Sequence, residues 1–420
     1  MENTNTSLGE PNLKNIQSLV SNKIDNKEIY KLADSIGSND VETINTDLRL
    51  ENIQAARRVF LPSSLYGTSL SPNKNFIVDI ETFGGSDLDF FSTDEQGIIK
   101  NSLNAPSTKV RVADAKKTDK KIIMIFGGST IMGIGSRMPN LTIPALVESI
   151  LRLEHNIDAV CINRGIIGFT SIENLNLLLT SSLNFQPDEV IFYDGWNCVS
   201  NFAANKANRS ETTTHLCPPM LGGMSYRHYE HDKVLLDQFR IWPQTRRLLW
   251  LFLNKSLQSM SSIIQFNFFQ RLMNSLLAHD PTVNQKWTIE LFEKLASSDT
   301  KIIAEEAAFD YLRIHDLAEA FCSQQKIGFS TFLQPCLSWG SKPLTQQEQI
   351  FHEDGASFNE LNQKFHQTLL GSLQFNKFRD LSNCFGKVKE QCYIDNGHLN
   401  PTGNFHVAKK IATHIASNGN

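Results

Sequence analysis

Short runs of apolar residues alternate along the chain with longer segments whose apolar residues recur at helical spacing. The run at residues 122–126 (IIMIF) is rich in β-branched residues, as expected of a strand covered on both faces of a parallel sheet. Further short strands are predicted at residues 158–163, 189–193, 326–333 and 391–394. Helical segments lie between them, and this alternation predicts a mostly parallel, doubly wound sheet.

Several helix boundaries are also readable from the sequence. Thr142 and Pro144 begin a segment with a helical apolar face, and Asn400 and Pro401 suit the N-cap and first position of the last helix. Residues 13–36 predict one or two short helices. Residues 57–104 are punctuated by Pro, Gly, Ser and Asp, which predicts short strands in irregular structure, and the charged residues 105–121 predict a surface connection.

These patterns divide the chain into an N-terminal extension packed on the core (1–104), two parts of one α/β core (105–198 and 301–420), and a largely helical insertion (199–300). The insertion follows the third core strand and is a candidate lid. Its apolar residues 248–253 suit a membrane surface, an acyl chain, a buried helix or a homo-oligomer contact, and the last two are favoured. His228 and His231 form an HxxH pair, but no third ligand accompanies them, so no metal site is expected.

Composition excludes several functional classes. The 40 basic and 44 acidic residues give a net charge of −4, which does not favour nucleic acid as a partner. The seven cysteines have no CxxC spacing, which argues against a zinc knuckle or a disulfide scaffold. The sequence shows neither a signal peptide nor a transmembrane run of roughly 20 apolar residues, so a cytoplasmic protein is the expectation.

Residues suited to one reaction follow several of the predicted strands. Ser129 comes directly after Gly127 and Gly128, at the carboxyl edge where open α/β sheets bind ligands, and is predicted to be exposed there. A serine hydroxyl needs a base to become nucleophilic, and His398 is the candidate base. Asp395 can orient the imidazole and stabilise the imidazolium. Taken singly, Ser129 also suits an ordinary helix cap and Asp395 an ordinary turn.

A tetrahedral intermediate also needs donors for its oxyanion. The backbone N–H groups of Ser129 and Gly168 and the side-chain amide of Asn197 can supply them from three strand ends. Cys198 follows Asn197, but no second histidine is placed to activate a thiol, so it is expected to be a core residue.

Four motifs carry a resemblance to a known family: GGS at Ser129, NRGIIGFTS with Gly168, DGWN with Asn197, and DNGHLNPTG with Asp395 and His398. In this order the chain resembles an SGNH (GDSL-type) hydrolase from residue 122 to about residue 415, the insertion excepted. The resemblance implies a flavodoxin-like three-layer α/β/α sandwich, a serine acyl-enzyme mechanism and no cofactor. Gly128 replaces the usual Asp and Cys198 an often acidic residue, and both bear on turn geometry and substrate fit.

The substrate expectation rests on the same resemblance. DGWN, the insertion, FLQP at 332–335 and KPLTQQE at 342–348 are similar to SGNH proteins associated with bacterial surface polysaccharide synthesis. This implies an esterase that removes acyl groups, with acetyl the leading candidate, from a carbohydrate or related metabolite. An O-acyltransferase would use the same residues, and a non-catalytic glycan-binding partner would bind sugar through Trp196 and other aromatics.

Overall fold

The computed structural model describes residues 13–21, 24–36, 41–45, 58–63, 67–82, 85–181, 184–200, 202, 300–354, 356–372 and 378–418. The predictions for most of the insertion, including His228, His231 and residues 248–253, lie outside these ranges. Among the helices that the structure describes, none combines the length and apolarity needed to cross a bilayer.

The N-terminal part contributes two helices and a small mixed sheet. Its elements are α1 (Leu13–Ser21), α2 (Asn26–Ile36), β1 (Val41–Asn45), β2 (Phe60–Ser63), β3 (Gly67–Leu70), β4 (Asn75–Thr82) and β5 (Gly85–Ser92). Strands β1, β4 and β5 form one sheet, in which β4 pairs in parallel with β1 and antiparallel with β5. Strands β2 and β3 form a separate hairpin.

The rest of the described chain alternates strands and helices. Its elements are α3 (Thr108–Lys117), β6 (Lys121–Gly127), α4 (Ser129–Met132), α5 (Ile143–His155), β7 (Ala159–Gly165), α6 (Ser171–Ser181), β8 (Glu189–Asp194), α7 (Thr300–Gln324), β9 (Gly328–Leu333), α8 (Gln346–Asp354), α9 (Ala356–Gly371), β10 (Phe378–Asp380) and α10 (Pro401–Asn418).

The five core strands form one parallel sheet in the order β10-β9-β8-β6-β7. Counted along the chain from β6, this is the 2-1-3-4-5 order of flavodoxin-like folds, whose direction of winding reverses between the first and third strands. The predicted flavodoxin-like α/β fold is therefore confirmed. The reversal places the carboxyl end of β6, and with it Ser129, at the position where such sheets bind ligands.

Two apolar clusters lie on opposite faces of the sheet and make three layers. On one face Ile123, Ile125 and Ile191 meet residues of α5 and α10. On the other face Met124, Phe126 and other strand residues meet α3, α6 and α7. Every residue of β8 is buried, as expected of a central parallel strand covered on both sides.

Three local predictions need correction. Residues 108–117, predicted as a surface connection, form α3, whose Thr108, Val112 and Ala115 are buried. Residues 391–394, predicted as a strand, make only the isolated bridge from Tyr393 to Leu399. The fifth strand is β10, whose three residues include Arg and Asp and therefore give no apolar run to detect.

The N-terminal sheet contacts the core beside the end of β6. Phe76, Val78 and Phe91 share an apolar cluster with Met132 and Ile134, which follow Ser129. The extension therefore packs against the residues that directly follow Ser129, the candidate nucleophile.

Candidate active site

Ser129 begins the single helical turn α4, directly after β6 and Gly128. A β-carbon on Gly127 would lie 2.5 Å from the carbonyl oxygen of Tyr193, so the chain can turn this tightly only with glycine there. As the first residue of a helix, Ser129 has a backbone N–H without an intrahelical acceptor. Residue Ser129 is buried, with 6% of its surface exposed, whereas the sequence predicted an exposed hydroxyl. The reason is that His398 lies against the hydroxyl.

The predicted catalytic residues lie in one hydrogen-bonded row. The Oγ atom of Ser129 is 2.6 Å from Nε2 of His398, and Nδ1 of His398 is 2.5 Å from Oδ2 of Asp395. Because a carboxylate faces Nδ1, that nitrogen carries the proton, and the lone pair of Nε2 faces the serine hydroxyl. Ser129 is 269 positions from His398 in the sequence, so this arrangement depends on the tertiary fold.

The loop before His398 positions the carboxylate. Oδ1 of Asp395 accepts the backbone N–H groups of Gly397 and His398, at 2.8 and 2.7 Å, while Oδ2 remains directed at the imidazole. The turn that Asp395 was expected to make with its neighbours is thus compatible with the contact to His398. Asn400 caps α10 by accepting the N–H of Gly403 at 3.0 Å, as predicted.

The electrostatic surroundings favour an ionised Asp395 beside a basic imidazole. The Asp395 side chain is 43% exposed, and its partial burial raises its pKa, but the charge and hydrogen bonds of His398, with the N–H of Gly397, outweigh this and hold that pKa at about 2. Burial lowers the pKa of His398, but Asp395 and the more remote Asp89 outweigh it, so this pKa lies above its ordinary value. Both shifts favour an imidazolium at His398 paired with an ionised Asp395.

Two of the predicted oxyanion donors, Gly168 and Asn197, lie near the turn that joins β6 to Ser129. Nδ2 of Asn197 donates to the carbonyl oxygen of Phe169 at 3.0 Å and lies beside Gly128. An amide nitrogen has two hydrogens, so the second can serve another acceptor. Gly168 precedes Phe169 and has φ of +75°, a conformation that favours glycine. The structure thus brings Asn197 next to Gly128 and to the Gly168 turn, and their oxyanion role stays a prediction.

Trp196 lies beside the imidazole. Its ring meets the ring of His398 edge to face, with centroids 6.1 Å apart. A β-carbon on Gly397 would lie 3.0 Å from the indole, so glycine there lets the Asp395 loop approach Trp196 closely. Trp196 and Gly128, the two predicted substrate contacts, flank His398 and Ser129 respectively.

A buried polar network lies next to the turn that follows β8 and bears Asn197, and the sequence did not predict it. Asp194, at the end of β8, accepts hydrogen bonds from Ser171 at 2.9 Å and Asn174 at 3.2 Å. Its other oxygen is 3.2 Å from Nε2 of the buried His315 of α7. These contacts tie the turns after β7 and β8 together. An Asp directly after a buried apolar strand was the one signal that could have found them.

Cys198 belongs to this network. Its sulfur is 3.1 Å from Oγ of Ser171, and burial, together with the charge of Asp194, raises the pKa of the thiol. A thiol so disposed is a poor nucleophile, and Cys198 is partly buried against an apolar cluster that includes Val199, where a fully buried core residue was expected.

The KPLTQQE segment (342–348) makes hydrogen bonds to the backbone just before Asp395. Glu348 is fully buried, and its Oε2 accepts Nζ of Lys342 at 2.7 Å and the N–H of Thr345 at 2.9 Å. Its Oε1 accepts the backbone N–H groups of Cys392 and Tyr393, at 2.8 and 3.2 Å. This segment thus holds the backbone that leads to Asp395.

Comparisons with known proteins give structural neighbours only. No protein-family model matches the sequence, and no curated protein matches it. The acetyl xylan esterase AlAXEase is 13% identical, with 70% of this chain and 99% of that chain covered, at a TM-score of 0.35. The lipase/acylhydrolase from Enterococcus faecalis is 12% identical, with 71% and 96% covered, at 0.31. A GDSL-like lipase from Parabacteroides merdae is 12% identical, with 70% and 97% covered, at 0.35. Esterases and lipases are thus among the neighbours, at similarities too low to establish a family or an activity for this chain.

Proposed function

We propose that this protein is a serine esterase of the SGNH type, which cleaves an acyl ester through an acyl-enzyme on Ser129. The observation that carries the proposal is the row of contacts from Ser129 through His398 to Asp395, at 2.6 and 2.5 Å. Those distances allow one proton to pass from Oγ to Nε2 while the charge that forms on the ring is balanced by Asp395.

In the first half of the reaction Oγ of Ser129 attacks the ester carbonyl carbon while Nε2 of His398 takes the hydroxyl proton. The carbonyl oxygen becomes an oxyanion, for which the N–H groups of Ser129 and Gly168 and the amide of Asn197 are the proposed donors. Collapse of the intermediate breaks the bond to the alcohol, which leaves with the proton from His398. Water then attacks the acyl-enzyme by the same route and releases the carboxylic acid.

For the substrate we favour a small acyl group, acetyl first, on a carbohydrate or related metabolite. Support comes from the resemblance to SGNH proteins of surface polysaccharide synthesis and from Trp196, an aromatic ring beside His398 that suits a sugar face. An O-acyltransferase would pass the acyl group from Ser129 to a sugar hydroxyl in place of water. The two reactions share every residue of the proposed site.

The test is a comparison of the purified protein with its Ser129→Ala variant. Acetylated sugars and p-nitrophenyl esters of short and long acids serve as substrates, with and without unmodified sugar as acceptor. Ser107→Ala is the matched control, because the Ser107 side chain makes no capping hydrogen bond at the start of α3. Loss of turnover and of fluorophosphonate labelling in Ser129→Ala alone is expected.

The products separate the alternatives. Release of free acetate from acetylated sugar is expected of an esterase, whereas transfer of acetyl to the added sugar would identify an acyltransferase. Sugar binding with neither turnover nor labelling would indicate a glycan-binding protein and contradict the proposal.

A further inference from the structure

Asp89 is a buried carboxylate outside the row of proposed catalytic residues. It lies on β5 in the N-terminal extension, in a region whose sequence indicated no function, and its side chain is fully buried. A buried carboxylate requires compensating contacts, because removing its charge from water is costly. The partners of Asp89 therefore show what it holds in place.

Both oxygens of Asp89 are bonded to the turn that follows the Ser129 helix. Oδ2 accepts the backbone N–H of Gly135 and Oδ1 that of Arg137, each at 2.7 Å. The neighbouring N–H of Phe90 donates to the carbonyl oxygen of Arg137 at 3.0 Å. One strand of the extension thus fixes residues 135–137 through both side chain and backbone.

The same turn lies between the two halves of the proposed site. The N–H groups of Gly133 and Ile134 both donate to the carbonyl oxygen of Ser129 at 2.9 Å. On its other side Gly135, with φ of +88°, abuts the backbone after His398, since a β-carbon there would lie 2.2 Å from the carbonyl oxygen of Leu399. A shift of this turn would therefore move Ser129 relative to His398.

Asp89 also acts on His398 through its charge. The negative groups that raise the pKa of His398 are Asp395, from the same loop, and Asp89, from β5. Around Asp89 itself stand Arg137, which favours its ionised form, and Asp87, which opposes it. Burial is the largest influence and raises the pKa of Asp89 to about 6, so the group is ionised at neutral and higher pH.

We propose that Asp89 is a positioning residue for the esterase reaction, with which the N-terminal extension sets the distance between Ser129 and His398 and contributes a negative charge that acts on the imidazole from a distance. This inference rests on the proposed function. On this proposal the N-terminal extension contributes a residue that the active site needs for its geometry.

The test is Asp89→Asn in the full-length chain. Asparagine offers one acceptor oxygen to two N–H groups and carries no charge, so both contributions are lost. With a p-nitrophenyl ester, kcat is expected to fall by about ten- to a hundredfold with little change in KM, because the turn is displaced by a fraction of an ångström. The acid limb of the pH profile is expected to move to lower pH, which loss of packing alone would not cause.

Asp87→Asn is the matched control. Asp87 lies on the same strand and carries the same charge, but its side chain is 40% exposed and meets Arg137 at the guanidinium, 3.2 Å away. The kcat of the Asp87→Asn protein and the acid limb of its pH profile are expected to stay near those of the unmodified protein. A folded Asp89→Asn protein with unchanged kcat and acid limb would overturn the role of Asp89, provided that Ser129→Ala is inactive. If Ser129→Ala were active, the proposed function itself would fail.

A second measurement covers the case in which Asp89→Asn does not fold. In Ser129→Ala, the NMR signal of the His398 ring is followed against pH and assigned by its loss in His398→Gln. A two-step titration is expected, with an extra inflection near pH 6 where Asp89 ionises. A curve with a single step no broader than that of one isolated group would show that the charge of Asp89 does not act on His398 and would contradict that half of the proposal.

Discussion

The side-chain amide of Asn197 occupies the space that a β-carbon on residue 128 would need. An ideal β-carbon on Gly128 would lie 2.4 Å from Nδ2 of Asn197, although the φ of −82° at Gly128 is open to any residue. A β-carbon at residue 128 is therefore opposed by the Asn197 side chain and not by backbone conformation. Any side chain at 128 must displace the proposed oxyanion donor.

Gly128→Ala is accordingly expected to lower kcat by about 10²-fold, the usual cost of losing one oxyanion donor, while the melting temperature changes little. Steady-state kinetics with a p-nitrophenyl ester measure this. Gly371→Ala is the control, because a β-carbon there meets no atom within 4 Å. Unchanged kcat in a folded Gly128→Ala protein would show that Asn197 does not serve the oxyanion.

The acid limb of kcat/KM is expected to have its midpoint above the ordinary histidine pKa of about 6.5. His398 must be neutral to accept the serine proton, and its pKa is raised, so activity is lost as pH falls through that raised value. Asp395→Asn should lower the midpoint, whereas His406→Gln, which changes a histidine of α10, should leave the profile as it is. A flat profile between pH 5 and 8 would contradict the role of His398.

Truncation of the two residues behind Ser129 should have unequal effects. His398→Ala removes the base and is expected to lower kcat by about 10⁴- to 10⁶-fold, whereas Asp395→Ala leaves the base in place and is expected to cost less. Burst-phase measurement of the acyl-enzyme with a fluorescent ester separates attack from release. An Asp395→Ala protein more severely impaired than His398→Ala would show that the carboxylate acts mainly on the fold of its loop.

Glu348→Gln is expected to destabilise the protein by about 3–5 kcal/mol, because it leaves the charge of Lys342 buried without its partner. Lys342 and Glu348 are 2% and 0% exposed, and the backbone that they hold precedes Asp395, so kcat should also fall. Chemical denaturation and kinetics check both effects. Glu360→Gln removes the carboxylate of an exposed pair with Lys364 and should leave both quantities nearly unchanged. A Glu348→Gln protein as stable as the Glu360→Gln control would refute the buried-pair account.

The parts of the fold that sequence predicted are those encoded by local runs. The strand at 122–126 and its glycine-ended turn are visible because burial on both faces demands consecutive apolar residues. Ser129 was predicted because it follows this turn, and Asp395 and His398 because their side chains, three residues apart, have the chemistry to activate a serine. The hydrogen bonds that join Ser129, His398 and Asp395 depend on tertiary structure, so the local sequence pattern alone could not establish them.

The features that sequence missed depend on partners distant in the chain. Asp89 resembles any polar residue of an alternating strand until the N–H groups of Gly135 and Arg137 are placed against it. Glu348 resembles an ordinary helix-capping glutamate until its second oxygen is seen to hold Cys392. Strand β10 has an Arg and an Asp among three residues, so its place at the sheet edge is set by pairing with β9 and not by hydrophobicity.

The 269-residue separation between Ser129 and His398 also has a consequence for biosynthesis. At ordinary translation rates His398 is added on the order of 15–50 s after Ser129, and until then the serine hydroxyl has no base beside it. A nascent chain that has already formed β6 would thus carry an inert alcohol. Under the proposed function, Ser129 becomes reactive only when the segment that bears Asp395 and His398 docks beside it, so an incomplete chain would not react with esters.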